Sequence, residues 1–269
     1  MSSETTRRRV LLGIGTGATI GLAGCGGSDG ESTPTDGEST PTDGGSMSTD
    51  EEMETGTETM STGSVRAAHM SPDAPNVDIY VDGSAVLEDV AFGTVSGYLD
   101  VPAGDREVEI TAAGDADTSV FSGTVPVGAD TAYTLAAAGE ISEGADEPFE
   151  VLVLEDDNSA PESGEARVRL VHASPDAPAV DVTLESNGSA VYDGVEYGSS
   201  EYAAVPAGDY TLQVRGDTEN NDGDVAASFD VSVADGEVYT AFAAGYLTPD
   251  DEPADTGFDL VVAQDTSGM

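Results

Sequence analysis

His69 and His172 are the only histidines of the chain, and they stand at the same place in a sentence that occurs twice. Val65-Arg66-Ala67-Ala68-His69-Met70-Ser71-Pro72-Asp73-Ala74-Pro75-Asn76-Val77-Asp78 returns as Val168-Arg169-Leu170-Val171-His172-Ala173-Ser174-Pro175-Asp176-Ala177-Pro178-Ala179-Val180-Asp181, 103 residues later. An imidazole near Asp73 or Asp78 (Asp176 or Asp181 in the second copy) has the makings of a general base or a metal ligand. A metal needs three or four converging ligands, and one histidine per copy with scattered aspartates supplies fewer. The histidines share strand phase with Val65 and Ala67, or Val168 and Leu170, so their rings point inward near a strand end. The two prolines of each following loop lack N–H donors and restrict the backbone. His69 and His172 are therefore expected to be structural clamps on the Ser-Pro-Asp-Ala-Pro loops. No catalytic residue, metal ligand or cofactor is assigned.

Three other groups invite a chemical reading. Asp217-Thr218-Glu219-Asn220-Asn221-Asp222-Gly223-Asp224 has the composition of a calcium loop, yet framed from Thr218 its twelfth position is Phe229, where a bidentate Glu is required. It reads as a polar hairpin tip. Asn187-Gly188-Ser189 is an N-glycosylation acceptor sequence, and Asn-Gly equally suits a tight hairpin. Gly26-Gly27-Ser28-Asp29-Gly30 matches a hydrolase nucleophile elbow formally but has no strand-turn-helix context.

Cys25 is the only cysteine, and it follows Leu22-Ala23-Gly24 as in a lipobox. Ahead of it, Arg7 and Arg8 in Thr6-Arg7-Arg8-Arg9-Val10-Leu11-Leu12 resemble a twin-arginine export motif, and Val10 to Ala23 is an apolar run of 14 residues. Crossing the hydrocarbon takes about 20 residues, so the run is a signal core. Residues 1–24 are expected to be an export signal, and Cys25 to carry the lipid that anchors the chain at the outer face of the membrane. Residues 25–63 read as a lipidated cysteine followed by a disordered acidic Ser/Thr/Gly tether, in which Glu31 to Gly37 repeats as Glu38 to Gly44. As a flexible coil the tether reaches roughly 30–35 Å.

Charge restricts the partners. There are 53 acidic residues against 8 basic ones, every basic residue is arginine, and the formal net charge is −45. Loss of residues 1–24 removes Glu4, Arg7, Arg8 and Arg9, which leaves 52 acids and 5 arginines, net −47. Such a surface suits a salt-saturated setting, where carboxylates hold water and cations. It excludes nucleic acid as a partner, since phosphate binding needs clustered Lys and Arg.

From Ser64 onward the apolar pattern has period two, as in Val77-Asp78-Ile79-Tyr80-Val81 and Thr211-Leu212-Gln213-Val214-Arg215, with Gly, Pro and Asp punctuating every 8–12 residues. The expectation is all-β: two tandem immunoglobulin-like antiparallel β-sandwich modules of seven or eight strands, at 64–157 and 167–266, joined by a linker at 158–166. The repeat extends to Val101-Pro102-Ala103-Gly104 and Val205-Pro206-Ala207-Gly208, to Tyr133-Thr134 and Tyr239-Thr240, and to Asp156 and Asp265. These motifs resemble domain-of-unknown-function family 4397 in two copies over about residues 64–265. The resemblance implies an exported or surface-associated β-rich protein and carries no catalytic residues to transfer. The leading reading is a non-catalytic, lipid-anchored surface protein of a halophile, meeting a cell-envelope protein or glycan. The alternatives are an extracellular carbohydrate- or solute-binding receptor and, more remotely, a hydrolase using a His/Asp pair.

The charge makes a prediction. Residues 64–269 hold 42 acids against 5 arginines, and self-repulsion is screened to about 3 Å only near 1 M salt. The thermal unfolding midpoint should climb steeply between dilute buffer and molar KCl. A flat salt dependence by circular dichroism would overturn the halophile reading.

Overall fold

In the computed structural model, the residues described are 7–9 and 61–266. Cys25, the apolar signal core and nearly all of the tether lie outside them. Arg7–Arg9 forms a short strand, β1, and the other elements among the described residues are strands apart from one 3-10 turn.

Module 1 has eight strands: β2 (Thr62–His69), β3 (Val77–Val81), β4 (Ser84–Val90), β5 (Leu99–Pro102), β6 (Gly104–Ala112), β7 (Asp115–Val127), β8 (Ala132–Ala138) and β9 (Glu150–Glu155). They form two four-stranded sheets, β5-β2-β8-β9 and β4-β3-β6-β7. Module 2 repeats this with β10 (Glu165–Ala173), β11 (Val180–Leu184), β12 (Ala190–Val195), β13 (Ser200–Pro206), β14 (Gly208–Gly216), β15 (Val225–Val233), β16 (Val238–Ala244) and β17 (Asp259–Thr266). Its sheets are β13-β10-β16-β17 and β15-β14-β11-β12, with β1 added in parallel on β15. One 3-10 turn, Pro249–Asp251, interrupts the second module. No helix among the described residues is long and apolar enough to cross a membrane.

The sandwich class and strand number follow the period-two pattern. Two features depart from it. One pair in each module is parallel, β2 with β8 and β10 with β16. Hairpin partners must run antiparallel, whereas strands that meet after the chain has crossed to the second sheet and returned need not. In addition, β2 begins at Thr62 and β10 at Glu165, so Thr62, Gly63, Glu165 and Ala166 belong to strands rather than to tether and linker. Gly63 is buried, and a Cβ there would lie 2.5 Å from the Gly128 carbonyl oxygen. A glycine that looks like tether composition is a close backbone contact.

Alternation along β2 and β10 sorts side chains into two interiors. Val65 and Ala67 enter the core of module 1 with Val77, Ile79, Val108 and Leu135, and Leu170 enters that of module 2 with Val180, Val182, Val214 and Phe229. The residues between them face the other way. Ala68 and Met70 meet Val171, Ala173, Phe242 and Ala244 in a third cluster that takes members from both modules. The β5-β2-β8-β9 and β13-β10-β16-β17 sheets are thus packed against each other through their central strands, and β16 is buried along its whole length. Alanine at Ala68, Ala136, Ala138, Ala173 and Ala244 keeps the facing surfaces flat and lets them approach.

Candidate functional site

The repeated sentence places four side chains per module, and each secures a different segment. His69, at the end of β2, is 1% exposed, and its Nε2 lies 3.0 Å from the Pro75 carbonyl oxygen. Two residues on, the Ser71 hydroxyl donates to the Gly139 carbonyl at 2.6 Å. The Asp73 carboxylate accepts the backbone N–H groups of Ile141 and Ser142 at 2.9 and 3.0 Å. Asp78 accepts those of Asp89 and Gly114 at 2.8 and 2.9 Å, and these bonds hold its pKa below the usual aspartate value. Module 2 reproduces the set. His172, fully buried, meets the Pro178 carbonyl at 3.0 Å, and Ser174 donates to the Gly245 carbonyl at 2.6 Å. Asp176 accepts Leu247 and Thr248, both at 2.8 Å. Asp181 accepts Gly194 and Thr218 at 2.9 and 3.1 Å.

Burial is the main influence on both histidines and depresses their pKa values, against the opposing proline carbonyl bond. Neutral imidazole with the proton on Nε2 satisfies the carbonyl, and in module 2 it leaves Nδ1 to accept the Ser174 N–H at 3.3 Å. Phe92 and Tyr197 stand edge-on to the two rings. The aspartates considered as partners for a general base thus bind backbone amides, and each histidine ring serves the loop that follows it. Asn187 sits at an exposed turn between β11 and β12, where its side-chain oxygen accepts the Ser189 N–H at 2.9 Å and Gly188 has φ of 71°.

The largest buried polar assembly lies between the modules. Arg66 and Arg169 are 2% and 1% exposed. Arg66 reaches across to Asp265 at 2.7 Å and to the Thr240 hydroxyl at 3.1 Å. Reciprocally, Arg169 reaches Asp156 at 2.6 Å and Thr134 at 3.2 Å. Each threonine hydroxyl donates to its own module's aspartate, Thr134 to Asp156 and Thr240 to Asp265, both at 2.7 Å. Tyr98 covers the Arg66 guanidinium and Tyr202 covers that of Arg169, at 4.8 and 5.3 Å from the ring centroids. Tyr98 also donates to Asp156 at 2.5 Å. Away from this centre, Tyr246 of module 2 donates to Glu140 of module 1 at 2.8 Å.

A third grouping is confined to module 2. Asp181, Asp193 and Asp217 each bring a carboxylate oxygen within 4.8 Å of the others. Burial, then Asp181 and Asp193, push the Asp217 pKa up. With the Asn221 amide turned to donate, it bridges Asp193 and Asp181 at 2.7 and 3.1 Å. These oxygens are of the type that holds a hard cation.

Compared with known families, residues 63–183 and 182–268 match the domain of unknown function DUF4397. The chain belongs to the DUF4397 family. The first matched stretch runs past the end of β9 into β10 and β11, where the repeated sentence returns. No curated protein matches. Among solved structures, the Bacillus anthracis TIE protein is 13% identical with a TM-score of 0.23, over 69% of this chain and 34% of that one. This chain thus spans about a third of that protein. A Bacteroides fragilis protein described as a candidate cell adhesion protein is 8% identical with a TM-score of 0.20, over 78% of this chain and 99% of that one.

In this DUF4397 chain, sequence reasoning placed the histidines inward and passed over Arg66 and Arg169, which lie three residues before them in both copies. Their signal was available: two arginines of the folded part and two aspartates, Asp156 and Asp265, recur at matched positions. The Asp181, Asp193 and Asp217 grouping was also missed. The acidic run was read as one local loop, whereas the structure joins Asp217 to aspartates on strands β11 and β12.

Three outcomes follow. Removal of either ring should leave a buried carbonyl without a donor, so His172→Ala should lower the unfolding free energy by about 1–3 kcal/mol, and His69→Ala likewise. Because the folded pKa lies below the unfolded 6.5, the unfolded chain takes up protons first. Stability is full above pH 6.5 and falls as pH drops below it. Denaturant titrations from pH 7.5 to 5 in molar KCl should show this decline in the parent and lose it in the His69→Ala/His172→Ala double variant. Arg169→Ala should cost about 3–5 kcal/mol, because it strips a buried carboxylate of its partner. A cost under about 1 kcal/mol would show that the network contributes little to the junction.

Proposed function

We propose that this chain is a non-catalytic surface protein, lipid-anchored through Cys25, that displays its two modules as one unit for recognition or structural contact at the cell envelope. The observation that carries the reading is the use made of the reactive side chains. The two histidines, the two central arginines and their aspartates are buried and bonded to the protein itself, where they hold loops and modules in place. A general base needs reach to a substrate proton, and rings 1% and 0% exposed do not offer it. Burial of both facing sheets leaves the two outer sheets and the loops for display. The tether lifts this unit off the membrane, and the acidic surface suits high salt.

A sugar-binding receptor is less well supported. Module 2 holds a cavity of about 90 Å³ flanked by Tyr192, Tyr210 and Tyr239. Tyr192 and Tyr210 donate to the Val168 and Pro206 carbonyls, and Tyr239 accepts the Ala234 N–H. Their walls are otherwise apolar, and a sugar needs polar partners.

Cys25→Ser tests the anchor. The variant should accumulate as unprocessed precursor or leave the cells, which fractionation and mass spectrometry would register. Mature-sized protein that still partitions with membranes would refute the anchor. Cross-linking on intact envelopes, followed by mass spectrometry, should recover a repeatable envelope component with the lipidated protein.

A further inference from the structure

Asn187 is the one asparagine of the chain with a Ser or Thr two residues on, and its surroundings differ from those of the others. Asn76 and Asn158 donate their amides to Asp89 and Tyr98 at 2.8 and 3.3 Å. That of Asn221, turned to donate, bridges Asp193 and Asp181. Asn187 lies in the exposed turn 185–189 between β11 and β12. Asn187, Gly188 and Ser189 form their hydrogen bonds with one another and with Leu184. Among the described residues, neither the Asn187 Nδ2 nor the Ser189 hydroxyl has a partner. A Cβ added at Gly188 would meet nothing within 4 Å. Both groups that define the acceptor sequence are therefore free at the surface.

The same hairpin in module 1 uses a different residue. There Asp82 and Gly83 join β3 to β4 ahead of Ser84. The Asp82 carboxylate is tied into the fold by Arg106 at 2.9 Å and by the Glu107 N–H at 3.0 Å. Module 2 has four residues, Glu185 to Gly188, in place of these two, and Tyr210 stands in the register of Arg106. The contact that Asn187 does make, acceptance of an N–H two residues on, an aspartate makes equally well. Backbone conformation does not demand an amide either. Asp82, Asp89 and Asp130 hold positive φ as aspartates, and Asn187 is not among the residues with positive φ. In a chain with 53 acidic residues, the turn alone does not account for an amide at this position. Its chemistry suits a use that a carboxylate cannot serve.

We propose that Asn187 carries an N-linked glycan, added after the export proposed above, on which this assignment rests. The donor is a sugar chain carried on a polyprenyl phosphate. A bond forms between Nδ2 and the anomeric carbon, the bond from that carbon to the phosphate oxygen breaks, the carrier phosphate leaves with the electron pair, and one amide proton is lost to solvent. The product sets a bulky, hydrophilic group at the start of β12, the outer strand of its sheet. An unpaired strand there otherwise invites pairing with another chain.

The test is mass spectrometry of the full chain purified from the envelopes of the cells that make it. Trypsin releases Asn187 within Leu170–Arg215. This peptide is expected to carry the mass of at least one sugar, located on Asn187 by electron-transfer fragmentation. Asn187→Gln and Ser189→Ala should each abolish that mass and Ser189→Thr should keep it, with circular dichroism unchanged in all three. The parent peptide decides the matter even where a variant fails to fold. The N-terminal peptide reads export separately. A chain that begins at Cys25 with Asn187 bare or deamidated overturns the glycan and leaves export standing. A chain that keeps residues 1–24 and a bare Asn187 overturns both. Sugar located on Ser186 or Ser189, or sugar retained on Asn187 in Ser189→Ala, also overturns the assignment.

Discussion

Two guanidinium groups buried between sheets cannot stand alone. Removal of a charge from water carries a large penalty, which only a close counter-charge and saturated hydrogen bonds offset. Neither module meets that demand by itself, because the shortest ion pair of each arginine is with the other module's aspartate: Arg66 with Asp265 and Arg169 with Asp156. The threonines between them accept from the arginines and donate to the aspartates, so a single ring of bonds closes over the junction. The packing of Ala68, Met70, Val171 and Phe242 around it excludes the water that would otherwise compete. The mutual burial of the two inner sheets, and hence one compact unit, rests on this closed ring.

The loop clamps belong to the same strands. Along β2 the chain alternates Val65, Arg66, Ala67, Ala68 and His69, so odd positions serve the module and even positions serve the junction. A histidine that fixes the loop beyond the strand also fixes the end of the strand that carries the arginine. Asp73 and Asp176 extend this outward by holding the loops after β8 and β16. Those loops bring Glu140 and Tyr246 together across the modules.

Much of this was legible in the residues, and what was not has a physical cause. Period-two alternation identified strands and sandwiches, and the phase of His69 and His172 indicated an inward ring beside a donor-poor loop. The same alternation misdirects at Arg66 and Arg169. A charged residue between two apolar ones on a strand reads as solvent-facing, and only the second sheet packed on that face makes it interior. Periodicity reports which side chains share a face, not what covers that face. Strand direction was hidden for a similar reason: β2 and β8 are brought together by a crossover whose path leaves no local trace. Asp181 and Asp193 lie on strands β11 and β12 and Asp217 just after β14, and their convergence requires the insertion after β14 that the first copy lacks.

The reciprocity of the junction has an evolutionary reading. Each contact has a twin with the modules exchanged: Arg66 to Asp265 mirrors Arg169 to Asp156, and the close approach of Gly93 to Val261 mirrors that of Gly198 to Leu152. This is the isologous geometry of a two-fold homodimer, written into one polypeptide. Fusion makes the assembly independent of protein concentration. It also releases each half from the obligation that any substitution appear twice. In a true homodimer an alanine that hollows one core hollows both, and an inserted aspartate loop is duplicated. Here the neighbouring Ala67 and Leu135 stand where the second half has Leu170 and Ala241, and the loop bearing Asp217 has no counterpart, so the halves have diverged while each keeps a filled core.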